Sequence, residues 1–482
     1  MKQGIVYFIG AGPGDPELLT LKAIKILAQA DVVIYDYLVD IQTIKHYLSP
    51  QTETICADML GSKNYSNGFS NRQGLINKLL VEKAKQGKNV VRLKNGDPSI
   101  FGRLNEELEY MLKNKINYRI VPGITAATAA ACYLGIPLTA RNISSSVCLT
   151  TGHEANLKTH SFVNWNIVSK MNTIVLYMAL EKLPEVVDKI LKYGKKNNTP
   201  VAVISNISKI NQKYVIGELK NIVENVKKLD ISSPAMVIVG DVVKKENKFN
   251  WFKKAKKVLF TGISNERFFE EGIIFHIPMI EIKPLEDYTQ VDKMIESFKL
   301  NNFKSKNRVD WIVFTSRFGV FYFFERMFKL KLDTRTLYGI KIAAIGSSTA
   351  NKLKEFGIVA DIVPKEESSK GLLKEFKKIS LNFSSKLKVF LPRSDIADKG
   401  LTEGLSKLGF EVFPCVIYKN VMPENLPDID FNFFDEIIFS SPSTIRNFVK
   451  RYGTEVLRKI KIKTIGEVTQ KALDEILKSN FI

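Results

Sequence analysis

The chain has 482 residues, 45% hydrophobic and 25% charged, which excludes a disordered or fibrous protein and leaves room for two large or three ordinary domains. Its 71 basic residues against 50 acidic ones give a net charge of +21, a balance that attracts polyanions: nucleic acid, an anionic membrane or a small acidic substrate. The basic residues are 57 lysines and 14 arginines in dispersed positions, with no long basic block and no zinc-finger or RNP-type pattern, so no nucleic-acid partner is expected.

The N-terminal MKQGIVYFIGAGPGDP is apolar for only a few residues and lacks the h-region and cleavage site of a signal peptide. No run of about 18 apolar residues occurs, so no membrane partner is expected. Four scattered cysteines and four histidines, without CxxC or HExxH spacing, argue against a disulfide framework or a metal site. These features predict a cytoplasmic location.

Short β-branched runs alternate with amphipathic segments through the first half. IVYFI at 5–9, VVIY at 32–35, NVVRL at 89–93, TIVLYM at 173–178 and VAVI at 201–204 read as strands, and a helix is predicted over 16–30. The alternation predicts an α/β fold with a parallel or mixed sheet. PAMVIVGDVV at 234–243 is a strong strand, and the polar, basic stretch from 244 to 257 reads as a linker.

The second half carries an internal duplication. KVLFTG at 257 resembles KVFLPRS at 388, and GIIFHIP at 272 resembles GFEVFP at 409. VDWIVFTS at 309 resembles FDEIIFSS at 434, and KIAAIGSSTANKL at 341 resembles KIKTIGEVTQKAL at 461. The second set begins after the first is complete, which describes two similar α/β lobes. A cleft between such lobes suits a mid-sized ligand.

Gly10-Ala11-Gly12-Pro13-Gly14-Asp15 joins a strand to a helix, and Asp36 ends the next strand. This resembles a dinucleotide fingerprint and would serve a nucleotide-dependent oxidoreductase. Two residues argue against that. Asp15 stands where the third glycine would meet the pyrophosphate, and Pro13 removes a backbone donor from the loop. The loop fits a ligand without phosphates, such as S-adenosylmethionine. Arg92-Leu93-Lys94-Asn95-Gly96-Asp97-Pro98 forms a second turn, and Val121-Pro122-Gly123-Ile124-Thr125-Ala126-Ala127 leads into an alanine-rich helix.

Taken together, VYFIGAGPGDPELLTLKAIKILAQADVVIYDYLV, VVRLKNGDPSIFGR, VPGITAATAA, GIPLTAR, TGH, VLYMAL and SPAMVIVG resemble uroporphyrinogen-III C-methyltransferases over about residues 3–251. FTS, AAIGSSTANKLKEFG, LPRSDIADKGL and SSPS resemble uroporphyrinogen-III synthases over about 256–478. The resemblance implies a two-subdomain α/β methyltransferase at 1–245, a linker at 246–257 and a bilobal α/β synthase at 258–482. It implies cyclisation of hydroxymethylbilane to uroporphyrinogen III. Two methyl groups would then pass from S-adenosylmethionine to that product, giving precorrin-2 and S-adenosylhomocysteine, with no metal. It also implies a homodimer through the methyltransferase domain. The alternative to activity is a tetrapyrrole- or anion-binding protein with impaired methyl transfer.

Carried onto this sequence, the resemblance makes Asp36 the base. The cofactor contacts fall on Pro13, Asn95, Gly96, Asp97, Ile100, Thr125, Ala126 and Met178. Lys63 stands one residue from the family's proton-donating lysine, whose own position is Asn64. Tyr418 would assist loss of the hydroxyl in ring closure. Thr315, Ser316, Ser441 and Thr469 would line the synthase cleft, although the FTS and SSPS hydroxyls serve equally well as helix caps. The substrates carry eight carboxylates. Arg92 and Arg141, with Arg103, Arg317 and Arg393, are the arginines inside motif blocks expected to meet them.

Overall fold

The computed structural model describes residues 3–49, 51–60, 70–153, 161–264, 272–298, 309–381 and 386–479. They divide into two units: residues up to Lys257 together with Ile429–Phe433, and Val258–Asp428 with the chain from Phe434 onward.

The first unit holds two five-stranded sheets. Strands β1 (Val6–Gly10), β2 (Val32–Tyr35), β3 (Glu53–Cys56), β4 (Val90–Lys94) and β5 (Tyr118–Val121) lie in the order β3-β2-β4-β1-β5, all parallel. Both faces are apolar because both are covered. Val6, Phe8, Val32, Ile34 and Val90 pack on one side, and Ile9, Val33, Val91 and Leu93 on the other. The chain moves outward from β1 to β3, returns to insert β4, then crosses to β5. The carboxyl ends of β4, β1 and β5 therefore meet where the strand order reverses, the position at which open α/β sheets take ligands.

The helix predicted over 16–30 is split. Asp15 caps a single 3-10 turn at Pro16–Leu18, and the Thr20 hydroxyl accepts from the Ala23 N–H to start a separate helix, Leu21–Leu27.

The second sheet contains β6 (Val147–Thr151), β7 (Thr173–Tyr177), β8 (Pro200–Ser205), β9 (Lys213–Glu218) and β10 (Ala235–Val239), in the order β6-β7-β10-β8-β9. It is mixed, because β10 runs antiparallel to both of its neighbours. The strand predicted over 234–243 stops at Val239, where Gly240 turns the chain at φ +143° into the 3-10 turn Asp241–Lys245.

The stretch expected to be a linker is ordered and packed. It forms the helices Glu246–Phe249 and Trp251–Lys254. Phe252 is buried, Glu246 accepts hydrogen bonds from Asn250 and Tyr214, and the Trp251 indole N–H donates to Cys132 O at 2.8 Å. Its lysines snorkel to solvent while these groups anchor it to the first unit.

The second unit also holds two sheets. One contains β11 (Lys257–Phe260), β12 (Ile273–His276), β18 (Glu436–Phe439) and β19 (Lys461–Thr464), in the order β12-β11-β18-β19. The other contains β13 (Glu281–Lys283), β14 (Trp311–Phe314), β15 (Lys341–Ala344), β16 (Lys388–Ser394) and β17 (Glu411–Val421), in the order β13-β17-β16-β14-β15. The duplication is thus real, but the repeats do not form one lobe each. The first repeat gives β11 and β12 to one sheet and β14 and β15 to the other. The second repeat supplies the missing halves, β18 and β19 to the former and β16 and β17 to the latter. Equivalent strands occupy equivalent places in both sheets.

Candidate active site

Three turns meet at glycines, Gly10 and Gly12, Gly96, and Gly123, at the carboxyl ends of β1, β4 and β5. The Gly96 N–H donates to Gly12 O at 2.8 Å and the Gly12 N–H to Gly96 O at 3.1 Å. A Cβ on Gly10 would stand 2.5 Å from Gly96 O and 2.6 Å from Gly123 Cα. Asp97 braces this crossing. One carboxylate oxygen accepts from the Gly123 N–H at 2.9 Å and the other from the Ser99 N–H at 2.8 Å. Gly96 adopts φ +66°, which glycine takes freely; Asn95, before it, carries no such requirement.

The other residues expected to meet a cofactor surround this crossing. Pro13 is buried. Ile100, Thr125 and Ala126 are partly buried. The Thr125 and Tyr177 hydroxyls are bonded to each other, and Tyr177 also accepts from the Ala127 N–H. Met178 ends β7 at φ +51° and is 53% exposed. Asp15 caps its own turn and accepts from the Tyr133 hydroxyl at 3.1 Å. Burial raises the Asp15 carboxyl above its ordinary value, opposed by those two hydrogen bonds.

Asp36 stands beside the crossing at the end of β2. The Asn95 N–H donates to its Oδ2 at 3.3 Å, so the second turn also holds this carboxylate. Its Oδ1 pairs with Arg92. Arg92 is 3% exposed and corrects the expectation of a substrate contact. Its guanidinium is occupied by Asp36, by Glu107 at 2.9 Å and by the carbonyls of Ile34 and Leu93. Glu107, fully buried, also takes the Lys94 ammonium at 2.7 Å. Burial opposes the Arg92 charge, but the attraction of Asp36 and then Glu107 outweighs it and tightens its proton. Burial, with repulsion from Arg92, lowers Lys94. The sequence reading missed Glu107 and Lys94.

Arg141 is exposed on the tight turn closed by the Ser144 N–H to Ala140 O bond, free to meet an anion. Lys63, with Asn64, lies outside the described residues.

In the second unit, Thr315 and Ser316 follow β14 and Ser441 follows β18, equivalent points of the two sheets. Ser316 and Ser441 both cap the next helix, accepting from the Gly319 and Thr444 N–H groups. Ser316 does more, because its hydroxyl lies 2.9 Å from the Tyr418 hydroxyl. Tyr418 is buried, stacks on Tyr322 at 5.8 Å, and is raised by desolvation against hydrogen bonds from Ser316 and Ser394. Two expectations are corrected here. Thr469 is buried and its hydroxyl donates to Ile465 O at 2.9 Å, the carbonyl one helical turn back, so it lines no cleft. Arg393 is spent on the carbonyls of Ala397 and Asp398 and on Thr402.

Among the described residues no helix is long and apolar enough to cross a membrane, and no cluster of acidic, histidine or cysteine side chains has the makings of a metal site.

Residues 5–223 match the family described as tetrapyrrole (corrin/porphyrin) methylases, and residues 270–478 match uroporphyrinogen-III synthase HemD. The porphyrin biosynthesis protein HemD of Ruminiclostridium josui is 30% identical over 98% of this chain and 94% of its own length. The uroporphyrinogen-III C-methyltransferase of Bacillus subtilis strain 168 is 35% identical over 76% of this chain and 75% of that protein. The uroporphyrinogen-III C-methyltransferase of Priestia megaterium is 42% identical over 50% of this chain and 98% of that protein.

Proposed function

The chain belongs to the tetrapyrrole methylases through its first half and to the uroporphyrinogen-III synthases through its second, and we propose on that premise that it performs two consecutive steps of tetrapyrrole assembly. The second unit closes hydroxymethylbilane to uroporphyrinogen III with inversion of one pyrrole ring. The first unit methylates that product twice, giving precorrin-2. The observation that carries this reading is the crossing of three glycine turns at the switch point of a parallel sheet, with the partly exposed Asp36 carboxylate held beside it by Arg92 and the Asn95 N–H.

The residues around that crossing fit S-adenosylmethionine. At Gly10 and Gly123 the turns meet backbone against backbone, so closely that a Cβ on either would collide with its neighbours, and this contact fixes the loops that would receive the cofactor. Asp15, where a dinucleotide loop needs glycine, disfavours a pyrophosphate. Gly96, Ile100, Thr125, Ala126 and the exposed Met178 would hold the cofactor. When bound, it supplies an electrophilic methyl group to an electron-rich pyrrole carbon, a transfer that needs alignment more than activation.

The chain then has one proton to remove. A macrocycle C–H bond breaks, its electron pair stays in the ring system, and the proton passes to the Asp36 carboxylate. Arg141 meets a substrate carboxylate. In the second unit Tyr418, held by Ser316, donates toward the departing hydroxyl of the bilane. The homodimer implied by the family resemblance is part of the same reading and is checked by sedimentation of the intact chain.

Incubation of the chain with hydroxymethylbilane and S-adenosylmethionine is expected to yield precorrin-2. Uroporphyrinogen III alone would refute the methyltransferase assignment, and uroporphyrinogen I, the product of unassisted closure, would refute the synthase assignment. Tyr418→Phe removes one directed hydrogen bond of about 1.5 kcal/mol, so ring closure slows roughly tenfold and uroporphyrinogen I rises in the product mixture. Unchanged isomer ratios from that variant would dismiss the role of the phenol.

A further inference from the structure

Glu107, Arg92 and Asp36 form a line of charges that runs from the interior of the first unit to its site. Glu107 is 0% exposed, Arg92 3%, and only the Asp36 side chain, at 28%, reaches solvent. Arg92 has no freedom to turn. Its Nε is fixed on Glu107 Oε1 at 2.9 Å, its Nη1 on Ile34 O at 3.3 Å and Leu93 O at 3.4 Å, and its Nη2 on Asp36. Glu107 is itself held by Lys94 at 2.7 Å and by the Gln73 amide at 3.3 Å. Asp36 is thereby tethered at both oxygens, to a locked guanidinium on one side and to the Asn95 N–H of the glycine crossing on the other.

Such a cluster is an expensive way to stabilise a core. Apolar residues of similar volume serve a buried position as well as an ion pair does, or better. Here Arg92 and Lys94 stand on the central strand of the sheet, Glu107 reaches them from the helix Leu104–Lys113, and the cluster has one outlet, the carboxylate proposed as the base.

We infer that Arg92 and Glu107 are positioning residues that fix the Asp36 carboxylate against the glycine crossing for proton removal. The inference rests on the assignment of Asp36 as the base. A planar fork can bridge two carboxylates at once, whereas an ammonium is a point charge that cannot reproduce that geometry. Small losses of alignment at a reacting group cost about a hundredfold in rate. Neither Arg92 nor Glu107 is exposed enough to touch substrate or cofactor, so binding is expected to survive their replacement.

The test uses the whole chain with uroporphyrinogen III and S-adenosylmethionine, and counts sites by S-adenosylhomocysteine titration. Arg92→Lys is expected to lower kcat per binding site about 10- to 100-fold, with KM for uroporphyrinogen III and Kd for S-adenosylhomocysteine within about twofold of the parent. Glu107→Gln, which keeps shape and one acceptor, is read in the same way should Arg92→Lys lose its binding sites. An unchanged kcat per site, or a parallel loss of kcat and binding in both variants, overturns the inference. Asp36→Asn run alongside separates the two levels. If it turns over at the parent rate, the base assignment has failed. If it is inactive while Arg92→Lys and Glu107→Gln are normal, only the positioning role has failed.

Discussion

Gly123→Ala is expected to weaken S-adenosylhomocysteine binding about a hundredfold while leaving ring closure by the second unit untouched. The added methyl group would stand 2.3 Å from Gly96 O and 2.7 Å from Gly10 Cα. Both obstacles are backbone, so no side-chain rotation relieves the overlap. The turns must separate by about an ångström, and the Gly123 N–H bond to Asp97 goes with them. A displacement of that size costs roughly a hundredfold in affinity or rate. Calorimetric titration with S-adenosylhomocysteine reads the effect, and an affinity within about threefold of the parent would contradict it. Gly194→Ala is the control. Nothing lies within 4 Å of its Cβ, so it bears only the strain of φ +94° and leaves the cofactor affinity alone.

The second large effect is on stability. Glu107→Ala leaves Arg92 and Lys94 inside the sheet with Asp36 as their one remaining carboxylate partner among the described residues. Removing one member of a buried ion cluster strands its partners without solvent, at a cost of about 3–5 kcal/mol. For a unit of this size that lowers the melting temperature by roughly 10 °C. The loss is expected in the transition of the first unit, followed by calorimetry of the whole chain, while the second unit melts as before. Glu107→Leu should recover little of it unless Arg92 and Lys94 are replaced at the same time, because the uncompensated cations carry the penalty. A variant that melts with the parent would mean that water reaches the cluster.

How much of this was legible in the sequence depends on the kind of residue. The alternation of β-branched runs and amphipathic segments located β1, β2, β4, β7 and β8 to within a residue or so, because strands covered on both faces must be apolar whatever their direction. The glycine turns were visible as motifs, but their mutual crossing was not, since it depends on which strands become neighbours. The ion cluster left a faint signal. Arg92 and Lys94 alternate along one face of a strand that is otherwise apolar. Glu107 falls in the i, i+3, i+4, i+7 series with Leu104, Leu108 and Met111 on its helix. A carboxylate at an apolar helical position, with two cations at apolar strand positions, predicts a buried charge group. Read singly, Arg92 looked like a surface contact for substrate. Ser316 and Ser441 were recognised as either caps or site residues. Tertiary pairing separates them, because only Ser316 meets Tyr418. The basic stretch after residue 244 looked like a linker because its lysines dominate the composition, whereas Phe252, Glu246 and Trp251 fix its place.

The crossed halves of the second unit bear on how the chain is made. At a ribosome the first repeat emerges complete, with β11, β12, β14 and β15 in hand, yet neither sheet can close. One neighbour of β14 is β16, and one neighbour of β11 is β18, which is translated long after β11 itself. Until then β11 has an unpaired edge, the kind of exposed template that invites misassembly. The five-stranded sheet gains its last member at Val421 and can fold before the four-stranded one, whose completion waits for β19. Nascent-chain truncations ending between residues 421 and 436 should therefore protect the five-stranded sheet from protease while β11 remains cleavable.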